Sequence, residues 1–328
     1  HLHKTNQGAA HSAIYNIDAM KHFRAAVDAC LLYCRFDPDM HNYDYDVFDS
    51  LSNETKYRVG YRQGLTIRDL DAFDKLEFLL GASGEKWRSG IKHDCSEIME
   101  LTENDGKLFN GLGEIVDIET DFVYPLLKGS DVANDRVSET KRFMIVPQRS
   151  VGEETKPLKT IAPKIWSYLE SHAIYLDSRK SKIYQNNPRF SIFGVGSYTF
   201  APWKIAICSL YKNLKFRLIG QAQSKPIVFD DTIYFLSFEN YEEAKDVFDF
   251  LLSENVQRFL SALIFWDEKR PIKTSILNNL KIPNSRVVLQ ATASRWRDCS
   301  RRWKMIHPQD APRWRNFFLT PAKRISSE

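Results

Sequence analysis

Residues 86–101, KWRSGIKHDCSEIMEL, set Trp87, Arg88, Lys92 and His93 around Ser89-Gly90. A glycine here allows a tight turn, and backbone N–H groups beside cations can hold a phosphate. The same residues also suit an ordinary surface turn. A longer signal lies downstream. From Ser178 to Phe229, 52 residues contain no Asp or Glu but nine cations: Arg179, Lys180, Lys182, Arg189, Lys204, Lys212, Lys215, Arg217 and Lys225. Nine aromatics share the window, among them Tyr184, Tyr198, Phe200, Trp203 and Tyr211. A surface that faces phosphates excludes carboxylates, because each repels the ligand, while each Lys or Arg releases condensed counterions. A strand-rich core segment could lack acids for simpler reasons.

Three further patterns invite chemistry. FGVGSY (193–198) mimics a glycine-rich cofactor loop, but β-type sequence follows it and no acid occurs before Asp230. Such a loop needs a following helix and an acid about 20 residues on, so we reject it. Asn187-Pro188-Arg189-Phe190 mimics the Asn-Pro-Pro-aromatic motif of amino methylation. It lacks the second Pro and follows no clear strand, so it is rejected as well. Pro38-Asp39 with Glu54-Thr55-Lys56 has the spacing of a metal-dependent nuclease, in which two acids hold Mg²⁺ and a Lys orients water. Short patterns of this kind arise by chance, and this reading stays an alternative.

The 328 residues suggest about two domains. At 43% hydrophobic and 27% charged, the chain is not wholly disordered. Its five cysteines, Cys30, Cys34, Cys95, Cys208 and Cys299, are odd in number and scattered, which argues against a secreted disulfide scaffold. Cys30 and Cys34 lack zinc spacing and are expected as core thiols. There is no signal-peptide core and no apolar run of membrane-spanning length. We therefore expect a soluble cytoplasmic protein without a membrane partner. The absence of an initiator Met suggests a piece of a longer chain.

The net charge of +4 is segregated: the acid-free window carries +9 and the tail Asn284–Glu328 carries +7, leaving −12 elsewhere. That tail adds Trp296, Trp303 and Trp314 to ten cations, a composition suited to docking or to anions.

These residues need elements to position them. Residues 14–36 read as strand, turn and strand, and Val27–Phe36 looks buried on both faces. Residues 37–49 hold five Asp and read as a linker and domain boundary. A helix is expected over 66–80 with Thr66 as its cap, another from Pro163, and a capped helix after Asn240. Residues 254–264 read as another helix and 275–280 as a helical turn. Residues 187–238 look strand-rich. The mixture predicts an α+β fold rather than regular β-α-β alternation.

In order along the chain, IYNIDAMKHF…VDACLLYCRFD (14–37), EKWRSGIKHDCSEIMEL (85–101), VYPLLKGSD (123–131), YLDSRKSKIYQNNPRFSIFGVGSYTFAPWKIAICSLYK (175–212), FDDTIYFL (229–236) and FWDEKRPI (265–272) resemble the C-terminal half of adenine-specific (N6) DNA methyltransferases of type II and type IIG restriction–modification systems. The resemblance implies three parts. Residues 1–40 would be a terminal β-hairpin of an α/β catalytic domain, 41–283 a DNA target-recognition domain, and 284–328 a basic extension with no counterpart in the family. It implies S-adenosylmethionine for the parent enzyme and none in this chain, since the family's cofactor loop and Asn-Pro-Pro-aromatic site lie upstream of the hairpin. Double-stranded DNA is the implied partner, with an N-terminal catalytic region or subunit. Phe23 stands where the family places a ring against the flipped adenine; an ordinary core place is the other reading. Expected DNA contacts are Arg88, Lys92, Lys128, Arg179, Lys180, Lys182, Tyr198, Lys204, Lys212, Lys269 and Arg270.

Overall fold

β1 (His11–Ile17) and β2 (Ala29–Arg35) pair antiparallel over seven residues. Between them sits a one-turn helix, α1 (Ala19–Phe23), where the Asp18 carboxylate accepts from the Lys21 N–H at 2.9 Å. Arg24, in the left-handed region at φ 54°, stops it. β3 (Tyr45–Phe48) lies parallel to β1, and β4 (Thr55–Arg62) and β5 (Leu65–Ile67) complete a sheet of order β2-β1-β3-β4-β5. Asp44 grips Arg62 through both carboxylate oxygens at 2.8 and 2.9 Å, so the acidic stretch is partly a structural clamp. The parallel pairing carries one sheet across the expected boundary at residue 40. The computed structural model describes residues 8–52 and 55–283, the side chains of Thr55 and Lys56 excepted. The basic tail expected at 284–328 lies outside them, as do Glu54 and the side chain of Lys56.

Two more sheets follow, with β6 (Arg88–Ser89), β7 (Glu100–Asn104), β8 (Lys107–Phe109), β9 (Ile115–Val116), β10 (Val123–Leu127), β11 (Arg142–Ile145), β12 (Trp203–Cys208), β13 (Arg217–Ile219), β14 (Gln221–Ala222), β15 (Lys225–Pro226), β16 (Val228–Phe229) and β17 (Ile233–Phe238). One has the order β16-β10-β11-β7-β8-β9; the other is β13-β12-β17-β6; β14 and β15 form a separate ribbon. The helices are α2 (Pro163–Ser171), α3 (Tyr241–Leu252) and α4 (Glu254–Leu263), with shorter turns between. The fold is thus a mixture of helices and several sheets of the α+β kind.

The β12–β17 pair is covered on both faces. Ile205, Ile207, Leu236 and Phe238 point into a core built with α3, α4 and residues 67–79. Their neighbours Ala206, Ile233 and Phe235 point into another core with Leu127 and Val132. Strict alternation of strand side chains produces this division. A further core lies under β7, β10 and β11 against α2.

Several expectations are corrected. Thr66 belongs to β5, and the helix that follows starts at Leu70, capped by Asp69, whose carboxylate accepts from the Ala72 N–H at 3.0 Å. The helix from Pro163 ends at Ser171, and residues 187–202 form loop and a short 3-10 turn rather than strand. β2 is not buried on both faces: Leu31, Leu32 and Tyr33 are 51%, 65% and 47% exposed. Cys30 is exposed and Cys34 half-buried, so neither is a core thiol. Asn240 caps α3 as expected, accepting from the Glu242 N–H at 2.7 Å.

Phe235 is 1% exposed, with its ring 5.1 Å from Phe229. Phe235→Ala is expected to lower stability by about 3–5 kcal/mol in denaturant titration. A loss under about 1 kcal/mol would contradict the two-sided burial of β17.

Candidate functional site

A cleft of about 660 Å³ opens where four distant segments meet. Residues 91–97 form one wall and 175–181 another. Glu100 and Lys128 stand at the starts of β7 and the short helix Gly129–Ala133, and Asp230-Asp231 make the turn from β16 to β17. Gly90 makes this assembly possible, since a Cβ there would lie 2.1 Å from the Asp230 carbonyl oxygen. Residues 89–92 are therefore a strand-like segment pressed on residues 229–234, not the exposed tight turn expected there.

Polar contacts order the cleft wall. Lys128 Nζ lies 2.6 Å from Glu100 Oε2, and His93 Nε2 lies 3.3 Å from Glu100 Oε1. His93 Nδ1 accepts from the Cys95 N–H at 3.1 Å, which leaves Nε2 to carry the proton toward Glu100. Burial pushes the Glu100 carboxyl up, but the His93 and Lys128 contacts outweigh it and hold it below the usual carboxylate range. Lys92 pairs with Asp94 at 2.5 Å. Asp230 Oδ1 accepts from the Thr232 hydroxyl at 2.5 Å and the Thr232 N–H at 3.1 Å. Burial raises the Asp230 carboxyl despite those bonds and the charge of Lys128.

The cleft gathers four of the expected cations, Lys92, Lys128, Arg179 and Lys180, from separate parts of the chain. It also gathers carboxylates that sequence reasoning misses: Asp94, Glu97, Glu100, Asp230 and Asp231. Asp230-Asp231 carry a signal, being the first acids after the acid-free window.

Two expected phosphate contacts are corrected. Arg179 donates to the carbonyls of Leu176 at 2.7 Å, Ser191 at 2.7 Å and His93 at 3.1 Å, and its guanidinium lies 3.7 Å from the Tyr184 ring centre. It is a clamp on the cleft wall. Lys204 is 2% exposed, and its Nζ donates to Ala201 and Ile227 carbonyls at 2.8 and 2.9 Å. Lys204 therefore presents no charge to an anion, and Arg179, half-buried on the cleft wall, spends its Nε and one terminal nitrogen on backbone carbonyls. Other cations of the window are also committed. Lys225 donates to the Thr120 and Val123 carbonyls, Arg217 pairs with Asp135 at 2.7 Å, and Arg189 with Asp177 at 2.7 Å. Among the described residues, Lys180, Lys182, Lys212 and Lys215 are exposed without a hydrogen bond or ion pair. The acid-free window thus has a largely structural explanation: its cations satisfy backbone carbonyls and acids outside it.

Arg88 is exposed over the half-buried Tyr198 ring, 5.1 Å from its centre. Lys212 lines a second cleft, of about 690 Å³, formed with Asp267 and residues 16–20 and 25–29. Lys269 and Arg270 are exposed just beyond Asp267. Phe23, at the end of α1 beside this cleft, is 65% exposed and so not a core residue.

No cofactor cradle forms at 193–198. Gly194, at φ 72°, packs so closely that a Cβ would lie 2.3 Å from the Gly90 carbonyl oxygen, and only a four-residue 3-10 turn follows. S-adenosylmethionine does not fit there. Among the described residues, no three His, Cys, Asp or Glu side chains are grouped to hold a metal ion. Asp39 is exposed in the turn after β2; its proposed partners Glu54 and Lys56 lie outside the described side chains. No described helix is long and apolar enough to cross a membrane.

With the fold and clefts in place, comparison with known proteins finds the chain similar to a Type II methyltransferase. It is 53% identical over 283 residues to the Type II methyltransferase M.NspV of Nostoc sp. (strain ATCC 29411 / PCC 7524). That match takes in 86% of this chain and 59% of the relative, so the chain spans about three fifths of the relative's length. No family model matches. A solved structure of the Type IIL restriction–modification enzyme MmeI in complex with DNA covers 83% of this chain and 35% of that one, at 10% identity and a TM-score of 0.45.

Two stability predictions follow from the buried cations. Arg179→Ala leaves three carbonyls without their donor and is expected to cost about 2–3 kcal/mol. Lys180→Ala and Lys182→Ala should each stay within about 0.5 kcal/mol in the same denaturation assay. The second concerns Lys204, whose pKa burial lowers to about 7. The unfolded chain holds that proton up to the ordinary value of 10.5, so stability rises with pH above about 7 and the full penalty is present below it. Melting at about pH 6 and pH 9 should show this rise in the wild type and its loss in Lys204→Met.

Proposed function

We propose that this chain is the target-recognition part of an adenine-specific (N6) DNA methyltransferase of a restriction–modification system, and that its ligand is duplex DNA in the cytoplasm. The observation that carries the reading is the 53% identity to a Type II methyltransferase, joined to a first cleft that gathers four cations from separate parts of the chain. Lys180, Lys182 and Lys212 supply exposed charge for phosphates, and Lys269 and Arg270 extend it beside the second cleft. Lys92 and Lys128 line the first cleft, and Arg88 on the Tyr198 ring offers a flat cation to a sugar or base. Phosphate contacts of this kind set register on the duplex, while groups in the groove set sequence. Phe23, exposed at the hairpin tip, is suited to stack on an extruded adenine.

The reading also accounts for β2. Among the described residues it pairs with β1 alone, and Leu31, Leu32 and Tyr33 bare both of its faces. A strand of this composition suits burial within a larger sheet. We assign that cover to a catalytic region, on this chain or another, which would bind S-adenosylmethionine and carry out methyl transfer. Methylation by the 328 residues alone is not expected.

The test is a set of binding titrations of the 328-residue chain on duplex DNA across salt concentrations. Affinity should fall steeply with salt. The double variant Lys180→Ala/Lys182→Ala should reduce the slope of log K against log salt by about 0.9 for each phosphate no longer neutralised, or roughly 1.8. Binding that does not change with salt would overturn the reading.

A further inference from the structure

The first cleft is lined by Lys92, Lys128, Arg179 and Lys180 against five carboxylates, so it is a poor hole for a phosphate. A carboxylate at a nucleic-acid surface repels the backbone. It has a use there when it accepts from an exocyclic amino group in the major groove. Two of the five are already neutralised: Asp94 by Lys92, and Glu100 by Lys128, with the His93 ring beside it.

Asp230 is different. Oδ1 is fixed by the Thr232 hydroxyl and N–H. Oδ2 has no hydrogen bond among the described residues. The backbone beneath is pinned as well, since Asp230 bridges to Ile91 and its carbonyl accepts from the Ile233 N–H at 3.2 Å. The carboxylate is therefore held in one orientation with one free oxygen. Lys128 is held in a comparable way by Glu100, which His93 orients in turn, and two of its three N–H groups stay available. Leu127 and Phe229 are register partners, so Lys128 and Asp230 follow side by side at the end of the β10–β16 pair and both line the cleft, yet no ion pair joins them. A fixed donor thus stands beside a fixed acceptor on the lining of one cleft, the preorganisation a specific contact needs.

Building on the DNA-reading proposal above, we propose that Lys128 and Asp230 form a base-reading pair. The Lys128 ammonium donates to a base acceptor, and the Asp230 carboxylate accepts from a neighbouring amino group. The edges that present an acceptor beside an amino group are adenine, through N7 and N6, and a G·C pair, through guanine O6 and cytosine N4. The pair fixes one base-pair position of the target rather than overall affinity.

The test selects preferred duplexes from a randomised library with the 328-residue chain, then titrates a preferred and a random duplex with wild type, Asp230→Asn and Lys128→Met. Melting curves on the same samples establish that each variant is folded. Each variant is expected to weaken binding to the preferred duplex by about 5- to 150-fold and to relax the preference at one position. On random duplex, Asp230→Asn should bind as well as wild type or slightly better, having lost a repelling charge. Equal losses on both duplexes in a folded variant would mean a general electrostatic role and overturn the proposal. So would an unchanged ratio of the two affinities. A wild-type chain that binds without any preference would instead overturn the target-recognition reading, and this pair with it.

Discussion

Backbone carbonyls that water cannot reach must find a donor, and in this protein long cations supply it. Arg179 ties the carbonyls of Leu176, Ser191 and His93; Lys204 ties Ala201 to Ile227; Lys225 reaches Thr120 and Val123. Each joins segments that no regular ladder connects. The loop 187–202 has almost no secondary structure, yet it forms the support for one cleft wall. Without these donors its carbonyls would be buried unsatisfied, at a cost of about 1–3 kcal/mol each. A carboxylate within reach would compete for the same cations, which gives a physical reason for the missing acids in this stretch.

The same constraint shapes the site. With Arg179 and Lys204 drawn inward, the charge left for a ligand is smaller and more dispersed than the sequence count suggests. What remains is a cleft of mixed sign, in which Glu100 and Thr232 hold Lys128 and Asp230 in place. Under the proposed reading, such a site discriminates by the pattern of donors and acceptors, and the exposed lysines around it provide attraction without pattern.

Much of the local structure is legible in the sequence. Asn240 caps its helix because a short polar side chain before an apolar run reaches back to free N–H groups, and that needs no distant partner. The antiparallel β1–β2 pair is legible for similar reasons. Sequence reasoning fails where a distant segment decides the outcome. Thr66 looks like a cap but pairs with Tyr61 in β5. The Ser89-Gly90 step looks like a turn, but the backbone of residues 229–230 presses on it. The apolar run of β2 reads as two-sided burial, while nothing among the described residues covers it. The cations of the cleft are visible in the sequence, but its acids are not, because Asp230 meets Lys128 only through the packing of β16 beside β10.

The first cleft is proposed to face nucleic acid. Hydrogen exchange measured on the 328-residue chain with and without saturating duplex DNA tests it most directly. The account predicts that duplex slows exchange at residues 91–97, 178–182 and 230–232 more than elsewhere in the described chain. Exchange unchanged in all three segments, while the chain is demonstrably bound, would contradict it.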